Sequence, residues 1–299
     1  MKPATAKAAT ATGFESILFA TDFSDAANRA IPFVKAIAKR YEAKVVALHV
    51  HPPVVNPMTP PETWAAESAA RAARDRTRRE ELLRTFAGFP IEVFIEEGGI
   101  QEELENAMKA HHTDLVVMGT RGRTGVGKLL LGSTAEEILR NVKCPVLTVG
   151  PYAELSRVAD GKVREILYAT DFAKASPKAA EYAVSLAQEF EARLVLLHVV
   201  NRQSANDLVM TSDVVKSAKA LLERVVPAEA LNWCKPEYFV EEGTPAEKIL
   251  EMAHLRESGL IVLGAKAEEG VPGASTHLPI ATVHKIISHA ECPVLTVRG

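Results

Sequence analysis

Short apolar runs alternate with longer segments of helical periodicity along the whole chain. Residues 26–41 carry an apolar residue at every third or fourth position, which predicts a helix, and further helices are predicted at 64–86 and 102–109. In the first half, apolar runs predict strands at 17–20, 45–50, 91–95, 115–118 and 146–149. Strands that alternate with helices predict parallel sheets with right-handed crossovers and helices on both faces. The predicted fold class is therefore α/β.

The same pattern occurs twice. Residues 15–24 reappear as 164–173, and the phrase Cys-Pro-Val-Leu-Thr-Val ends both copies, at 144–149 and 292–297. Two copies of a domain-sized unit predict tandem domains, at residues 14–150 and 163–299, each an open parallel sheet of five strands. The polar segment 151–162 is predicted to link them, and the small, polar residues 1–13 are predicted to form a disordered tail.

Composition and charge exclude several classes of function. The chain of 299 residues has a formal net charge of −3, so no overall field favours nucleic acid or an anionic membrane. No apolar run approaches the roughly 18 residues of a membrane span, and the N-terminus has no apolar core of a secretory signal. The three cysteines lack metal-ligand spacing and fit a reducing cytoplasm. The arginine-rich run 71–84 is interrupted by acidic residues and lacks interleaved aromatic residues, which predicts a solvated helix face. We therefore predict a cytoplasmic protein with neither nucleic acid nor membrane as partner.

A glycine-rich loop follows the fourth apolar run. Residues 119–134 read GTRGRTGVGKLLLGST and lead into a segment of helical spacing. Glycines let the backbone approach a ligand closely, and the free N–H groups at a helix N-terminus favour an anion. A strand, a glycine loop and a helix start in this order predict a phosphate-binding cradle.

Two patterns compete for this loop. Residues 122–128 begin like a P-loop, but Leu129 stands where a P-loop needs a Ser or Thr to hold magnesium. The second pattern has Gly119, Gly122 after two residues, and Gly132 with Ser133 after nine more. It places hydroxyl residues at the predicted helix start, where they can cap the helix or donate to a phosphate. The second interpretation is favoured.

This second pattern resembles the nucleotide-binding signature G-x2-G-x9-G-S/T of the universal stress protein family, and the surrounding words VVMGTRGRTG and LLLGSTAEEILRNVKCPVLTV fit it as well. The resemblance covers nearly all of the chain after the tail. It implies a Rossmann-like, adenine nucleotide alpha-hydrolase-like fold that binds ATP, with AMP or ADP as alternatives and with Mg²⁺ or Mn²⁺ held through the phosphates. It also implies an internal pseudo-dimer whose fifth strands meet, and it allows two chains to pair as a homodimer.

The fold argument and the loop argument select the same place. Ligands of open parallel sheets bind beyond the carboxyl ends of the strands, where the strand order reverses, and strands one and four end at Ala20 and Met118. Asp22 is predicted either to accept hydrogen bonds from an adenosine moiety or to serve as a turn or N-cap residue. The resemblance implies that Asp22 contacts the nucleotide and that the backbone at Val50 receives the adenine. The predicted nucleotide-binding residues are Ala20, Thr21, Asp22, Val50, Met118, Gly119, Arg121, Gly122, Arg123, Gly132, Ser133 and Thr134.

No catalytic residue is predicted. His49 and His198 end matching strands, and since no nucleophile or acid partner is apparent nearby, both are predicted to be buried and hydrogen-bonded. The resemblance implies a nucleotide-dependent regulator or stress-tolerance factor rather than an enzyme. The alternative is a slow ATPase or phosphotransferase that uses the same site.

The second copy departs from the loop pattern. Ala267 stands in the place of Gly122, while Ile280 and Ala281 stand in the places of Gly132 and Ser133. A β-branched residue at a glycine position crowds the approach of a phosphate. The second domain is therefore predicted to bind ATP weakly or not at all, although the counterparts of Asp22 and Val50 remain, as Asp171 and Val199.

Overall fold

The structure of the chain is a computed structural model. It describes residues 12–53, 61–120, 132–154, 156–157, 163–172, 176–200, 211–265 and 280–298. Three of the predicted site residues, Arg121, Gly122 and Arg123, lie outside these ranges, as do Lys128 and Ala267.

The first half of the described chain contains five strands and five helices, with two helices in succession between the first two strands. The described part of the second half has five strands, four α-helices and a 3₁₀ helix. The first-half elements are β1 (Ser16–Ala20), α1 (Asp25–Asn28), α2 (Ile31–Tyr41), β2 (Lys44–His51), α3 (Pro61–Thr85), β3 (Ile91–Glu97), α4 (Ile100–Ala110), β4 (Leu115–Gly119), α5 (Ser133–Asn141) and β5 (Val146–Val149). The second-half elements are β6 (Glu165–Thr170), α6 (Ser176–Phe190), β7 (Arg193–Val200), α7 (Ser212–Val225), a 3₁₀ helix (Ala228–Asn232), β8 (Glu237–Glu242), α8 (Pro245–Leu255), β9 (Leu260–Ala265), α9 (Ile280–His289) and β10 (Val294–Arg298).

The helix predicted at 26–41 is two helices. Helix α1 ends at Asn28 and α2 begins at Ile31, with Pro32 in its first turn. Proline lacks an N–H donor, and its ring clashes with the carbonyl of the residue four positions earlier, so it starts a helix readily but interrupts a continuous one. The apolar spacing runs through the break and hides it from a periodicity argument.

All ten strands form one sheet, in the order β3-β2-β1-β4-β5-β10-β9-β6-β7-β8. Within each half the strands are parallel, and the halves join where β5 pairs with β10 in antiparallel fashion. The predicted α/β class with tandem parallel sheets is confirmed, and so is the expected meeting of the fifth strands. The two five-stranded sheets are thus continuous across the seam.

Helices cover both faces of the sheet. The central strand β1 is buried on both sides: Ile17 and Phe19 pack into the layer under α2, α3, α6 and α7, while Leu18 packs into the layer under α4, α5, α8 and α9. Strands buried on both faces are nearly continuous apolar runs, which explains why the sequence located them. No helix in the described ranges combines the length and the apolar character that crossing a bilayer requires.

The seam between the halves is closely packed. Phe14 of the first half stacks on Tyr182 of the second, with ring centroids 5.7 Å apart. At the end of β5, an added Cβ on Gly150 would lie 2.6 Å from the carbonyl oxygen of Ile287 in α9. Only a glycine allows this approach of the two backbones, so the halves form one continuous core.

Candidate functional site

A cavity of ≈ 170 Å³ opens at the carboxyl ends of β1 and β4. These two strands are neighbours in the sheet, with β2 and β3 beyond β1 and β5 beyond β4. The chain therefore leaves them toward opposite sides of the sheet, which is the arrangement that opens a crevice in an open parallel sheet.

Every predicted nucleotide-binding residue that the structure describes lines this cavity. These residues are Ala20, Thr21, Asp22, Val50, Met118, Gly119, Gly132, Ser133 and Thr134. They come from the ends of three strands and the start of α5. The geometry thus brings together residues that are more than 100 positions apart in the sequence.

Sequence reasoning missed the apolar wall of the cavity. Ile100 and Leu104 of α4 and Ile138 of α5 form this wall. They lie at ordinary helical spacing, so their pattern predicts core positions and carries no sign of a ligand site. The other lining residues not predicted are Ala27, Leu48, His49, Thr120 and Ala135.

The segment that follows β1 is a tight turn built around Asp22. Asp22 Oδ1 accepts hydrogen bonds from Ser24 N (3.0 Å) and Ser24 Oγ (2.6 Å), and Thr21 Oγ1 accepts one from Phe23 N (3.0 Å). The N-cap of α1 is Ser24, whose hydroxyl accepts from Ala27 N. Asp22 therefore acts as a turn residue through its own carboxylate. It also lines the cavity, and its contact with an adenosine moiety stays a prediction.

Two histidines support this turn and its counterpart in the second half. His49 is 8% exposed, and its Nδ1 donates to the carbonyl oxygen of Thr21 at 2.8 Å. His198 Nδ1 donates to the carbonyl oxygen of Thr170 at 2.9 Å. His49 matches the prediction of a buried, hydrogen-bonded histidine, whereas His198 is hydrogen-bonded but only partly buried.

Strand β2 continues past the end of β1 and leaves an open backbone edge. Thr21 N donates to the carbonyl oxygen of Leu48 at 3.0 Å, the last backbone hydrogen bond between these segments among the described residues. Because backbone groups alternate between the two sides of a strand, the N–H and C=O of Val50 face the same side as those of Leu48. Val50 thus presents one donor and one acceptor at the cavity wall.

The start of α5 provides backbone donors. Gly132 is its N-cap, with φ of −63° and no capping side chain, and the helix begins at Ser133. The first N–H groups of a helix have no partner within the helix, and together with the helix dipole they favour an anion. This end of the cavity is therefore suited to a phosphate.

The two described glycines of the signature have different structural roles. A Cβ on Gly119 would lie 2.6 Å from the carbonyl oxygen of Ala26, so this glycine is needed for α1 to pack against β4. Among the described residues, a Cβ on Gly132 would meet as its nearest atom the carbonyl oxygen of Thr120 at 3.5 Å, which is an ordinary contact. Packing against α1 therefore explains Gly119, whereas no contact with the described residues requires a glycine at position 132.

The described parts of the chain contain no group of three or more His, Cys, Asp or Glu side chains placed to hold a metal ion.

Comparisons with known proteins extend over both halves. The model of the universal stress protein family matches residues 13–150 and again 162–298. A universal stress protein of Mycolicibacterium smegmatis is 26% identical over 293 residues, which cover 94% of this chain and 96% of that protein. A Thermus aquaticus protein, the universal stress protein in the QAH/OAS sulfhydrylase 3′ region, is 34% identical over 137 residues, covering 46% of this chain and 98% of its own length. The crystal structure of a universal stress protein from Archaeoglobus fulgidus covers 95% of this chain and 98% of its own, with a TM-score of 0.67 and 20% identity.

Proposed function

The chain belongs to the universal stress protein family, and on this premise we propose that its first half binds ATP in the cavity at the ends of β1 and β4. The protein would act in the cytoplasm as a nucleotide-dependent regulator of the stress response and not as a dedicated enzyme. One observation carries the proposal: all nine described residues that the sequence pattern predicts for the nucleotide line this single cavity.

The adenine is assigned to the Val50 end. An adenine ring presents a donor and an acceptor side by side on one edge, and the C=O and N–H of a single strand residue complement them. The apolar side chains of α4 and α5 provide the non-polar surface that a flat ring needs. AMP and ADP share this edge and are the alternatives to ATP.

The phosphates are assigned to the start of α5. Its free N–H groups and the hydroxyls of Ser133 and Thr134 donate to phosphate oxygens. Mg²⁺ or Mn²⁺ would be held through the phosphates and would neutralise part of their charge. The proposal extends to Arg121, Gly122 and Arg123, which lie outside the described residues.

The second half is proposed to bind ATP weakly or not at all. Its counterpart of the Asp22 turn is present, with Phe172 N donating to Thr170 Oγ1 at 2.9 Å. The phosphate end differs in sequence, because Ile280, the first described residue of α9, stands in the place of Gly132, the N-cap of α5. The sites therefore differ at the phosphate end more than at the base end.

Calorimetric titration of Mg²⁺–ATP into the full chain tests the proposal. One site per chain is expected, together with negligible phosphate release over the binding time. Two equivalent sites would contradict the assignment of the second half. Absence of binding by a folded chain would refute the ATP site, and turnover that is abolished by Asp22→Asn would favour the slow ATPase or phosphotransferase.

A further inference from the structure

Phe23, next to Asp22, is held between two side chains from different elements. Its ring makes an edge contact with the His49 ring, with centroids 4.8 Å apart, and the guanidinium carbon of Arg78 lies 4.8 Å from its centroid. Arg78 belongs to α3, which is 55 residues away along the chain. This arrangement, named here the Phe23 brace, consists of Phe23, His49 and Arg78.

The backbone at Phe23 needs such support. Its φ is +60°, in the left-handed region, which is a strained conformation for a bulky residue. Strained residues persist only where the surroundings hold them, and they cluster at ligand sites. The carboxylate of Asp22 is attached directly to this strained residue, so its direction depends on how the Phe23 ring is held.

Helix α3 presents Arg78 from a firmly docked position. His51 Nε2 lies 3.0 Å from Asp75 Oδ2, Arg79 Nη1 donates to the carbonyl oxygen of Val93 at 2.8 Å, and Arg71 bonds Glu97 at 2.5 Å. These contacts fix one face of α3 on β2 and β3. The docking of α3 thus places the Arg78 guanidinium against the Phe23 ring, although most residues of this helix are exposed.

The second half builds the same turn around Phe172. Phe172 has φ of +61°, and its ring lies 4.5 Å from that of His198. Among the residues that the structure describes there, no cation stacks on Phe172, and Val200 occupies the place of His51. Among the described residues this turn forms with no guanidinium on its ring, which indicates that a guanidinium is not needed to form the turn.

We propose that Arg78 is a positioning residue for the nucleotide, which acts through Phe23 to orient Asp22 toward the cavity. The inference rests on the proposed ATP site. It implies that a residue of α3 affects nucleotide binding in the first half, which has the glycine loop. Loss of the guanidinium leaves the turn folded but lowers the fraction of molecules in the binding-competent orientation, which weakens the apparent affinity by that fraction.

Titration calorimetry of Mg²⁺–ATP with variants of the full chain tests the role of Arg78. Arg78→Ala is expected to weaken binding about 2- to 10-fold, the range that loss of one cation–π contact produces. Arg78→Lys is expected to recover part of the loss, because an ammonium also binds the ring face. Arg74→Ala removes an exposed arginine of the same helix and is the matched control, with unchanged affinity expected.

A second background separates an indirect role from a direct one. In Phe23→Leu protein, Arg78→Ala should cause no further loss of affinity if the arginine acts through the ring. Hydrogen exchange of the Ser24 amide in ligand-free protein should be faster in Arg78→Ala and normal in Arg74→Ala.

The outcomes distinguish the two proposals. If the wild-type chain binds ATP and Arg78→Ala binds it equally well, the positioning role is overturned while the site stands. An equal loss in the Phe23→Leu background also overturns it, because the arginine would then act by another route. If the wild-type chain binds no ATP, the proposed function is overturned first, and the positioning role is overturned with it.

Discussion

Gly119 provides the most direct test of how the cavity is built. In Gly119→Ala the new Cβ would lie 2.6 Å from the carbonyl oxygen of Ala26, 2.8 Å from its carbonyl carbon and 2.9 Å from Ala27 Cα. All three are backbone atoms, which cannot rotate away as a side chain can. Helix α1 and the end of β4 must therefore separate.

The size of the effect follows from two opposing terms. Overpacking a closely packed site costs about 1–3 kcal/mol, while replacing glycine by alanine regains about 0.4–1 kcal/mol by restricting the unfolded chain. A net loss of about 1–2 kcal/mol lowers the melting temperature by roughly 2–8 °C in a domain of more than 150 residues. Scanning calorimetry measures the melting temperature. The affinity for ATP should also fall, because α1 borders the Asp22 turn.

Gly132→Ala is the matched control. The nearest atom to its Cβ is 3.5 Å away, and its φ of −63° suits alanine, so the melting temperature should stay within about 1 °C of wild type. ATP binding should nevertheless weaken, because the added methyl lies at the phosphate end. An unchanged melting temperature for Gly119→Ala would contradict the packing of α1. Unchanged ATP affinity for Gly132→Ala would remove the start of α5 from the phosphate site.

Three further predictions concern stability and reactivity. Gly150→Ala should lower the urea midpoint, because its Cβ would lie 2.6 Å from the Ile287 carbonyl oxygen across the seam; an unchanged midpoint would argue against that contact. Burial raises the pKa of the Cys292 thiol to about 12, so a disulfide reagent at pH 8 should label this thiol only after unfolding, and stability should fall as pH rises from about 9, where unfolded thiols ionise. Glu165→Ala should lower the free energy of unfolding in urea by about 1–3 kcal/mol, since the fully buried carboxylate accepts a hydrogen bond from Ser258 Oγ at 3.0 Å and pairs with Arg256 at 3.2 Å; an unchanged free energy of unfolding would contradict this role.

The sequence predicted the strands well and the break in the first helix not at all. Strands buried on both faces are unbroken apolar runs, so β1 and β2 were located to within one residue at each end. The break between α1 and α2 lies inside one continuous apolar stripe, where only Pro32 marks it. Apolar periodicity indicates which face of a helix is buried, but it does not indicate whether the helix is continuous.

The sequence predicted the site residues that directly follow strands. It did not predict those that helices contribute to the cavity or to its support. Asp22 and Gly119 stand at strand ends, where parallel topology concentrates ligand contacts. Leu104 is indistinguishable in sequence from a core residue, and Arg78 stands within a run typical of a solvated helix face. Their relation to the cavity depends on how α3 and α4 dock, which is a tertiary property.

The two halves also differ in charge where their helices pair. In the second half, Lys285 Nζ of α9 donates to Glu247 Oε1 of α8 at 2.8 Å. The repeat places Glu137 and Glu102 at the corresponding positions of α5 and α4, so the first half has two carboxylates in place of an ion pair. A cavity of ≈ 340 Å³ lies between α4 and α5, and it shares three lining residues with the candidate nucleotide cavity.

An exposed ion pair contributes only about 0–1 kcal/mol, so this difference in charge changes the stability of either half little. The side chains beneath the pair also differ between the halves. Ala135, the third residue of α5, lines the nucleotide cavity, while Val283 takes its place in α9 and is 2% exposed. Ala135 itself is 5% exposed, so both side chains belong to the same core layer, and Val283 is the larger of the two. Two of the three signature glycines, Gly122 and Gly132, are thus replaced in the second half, and the position of Ala135 beside them takes a larger core residue.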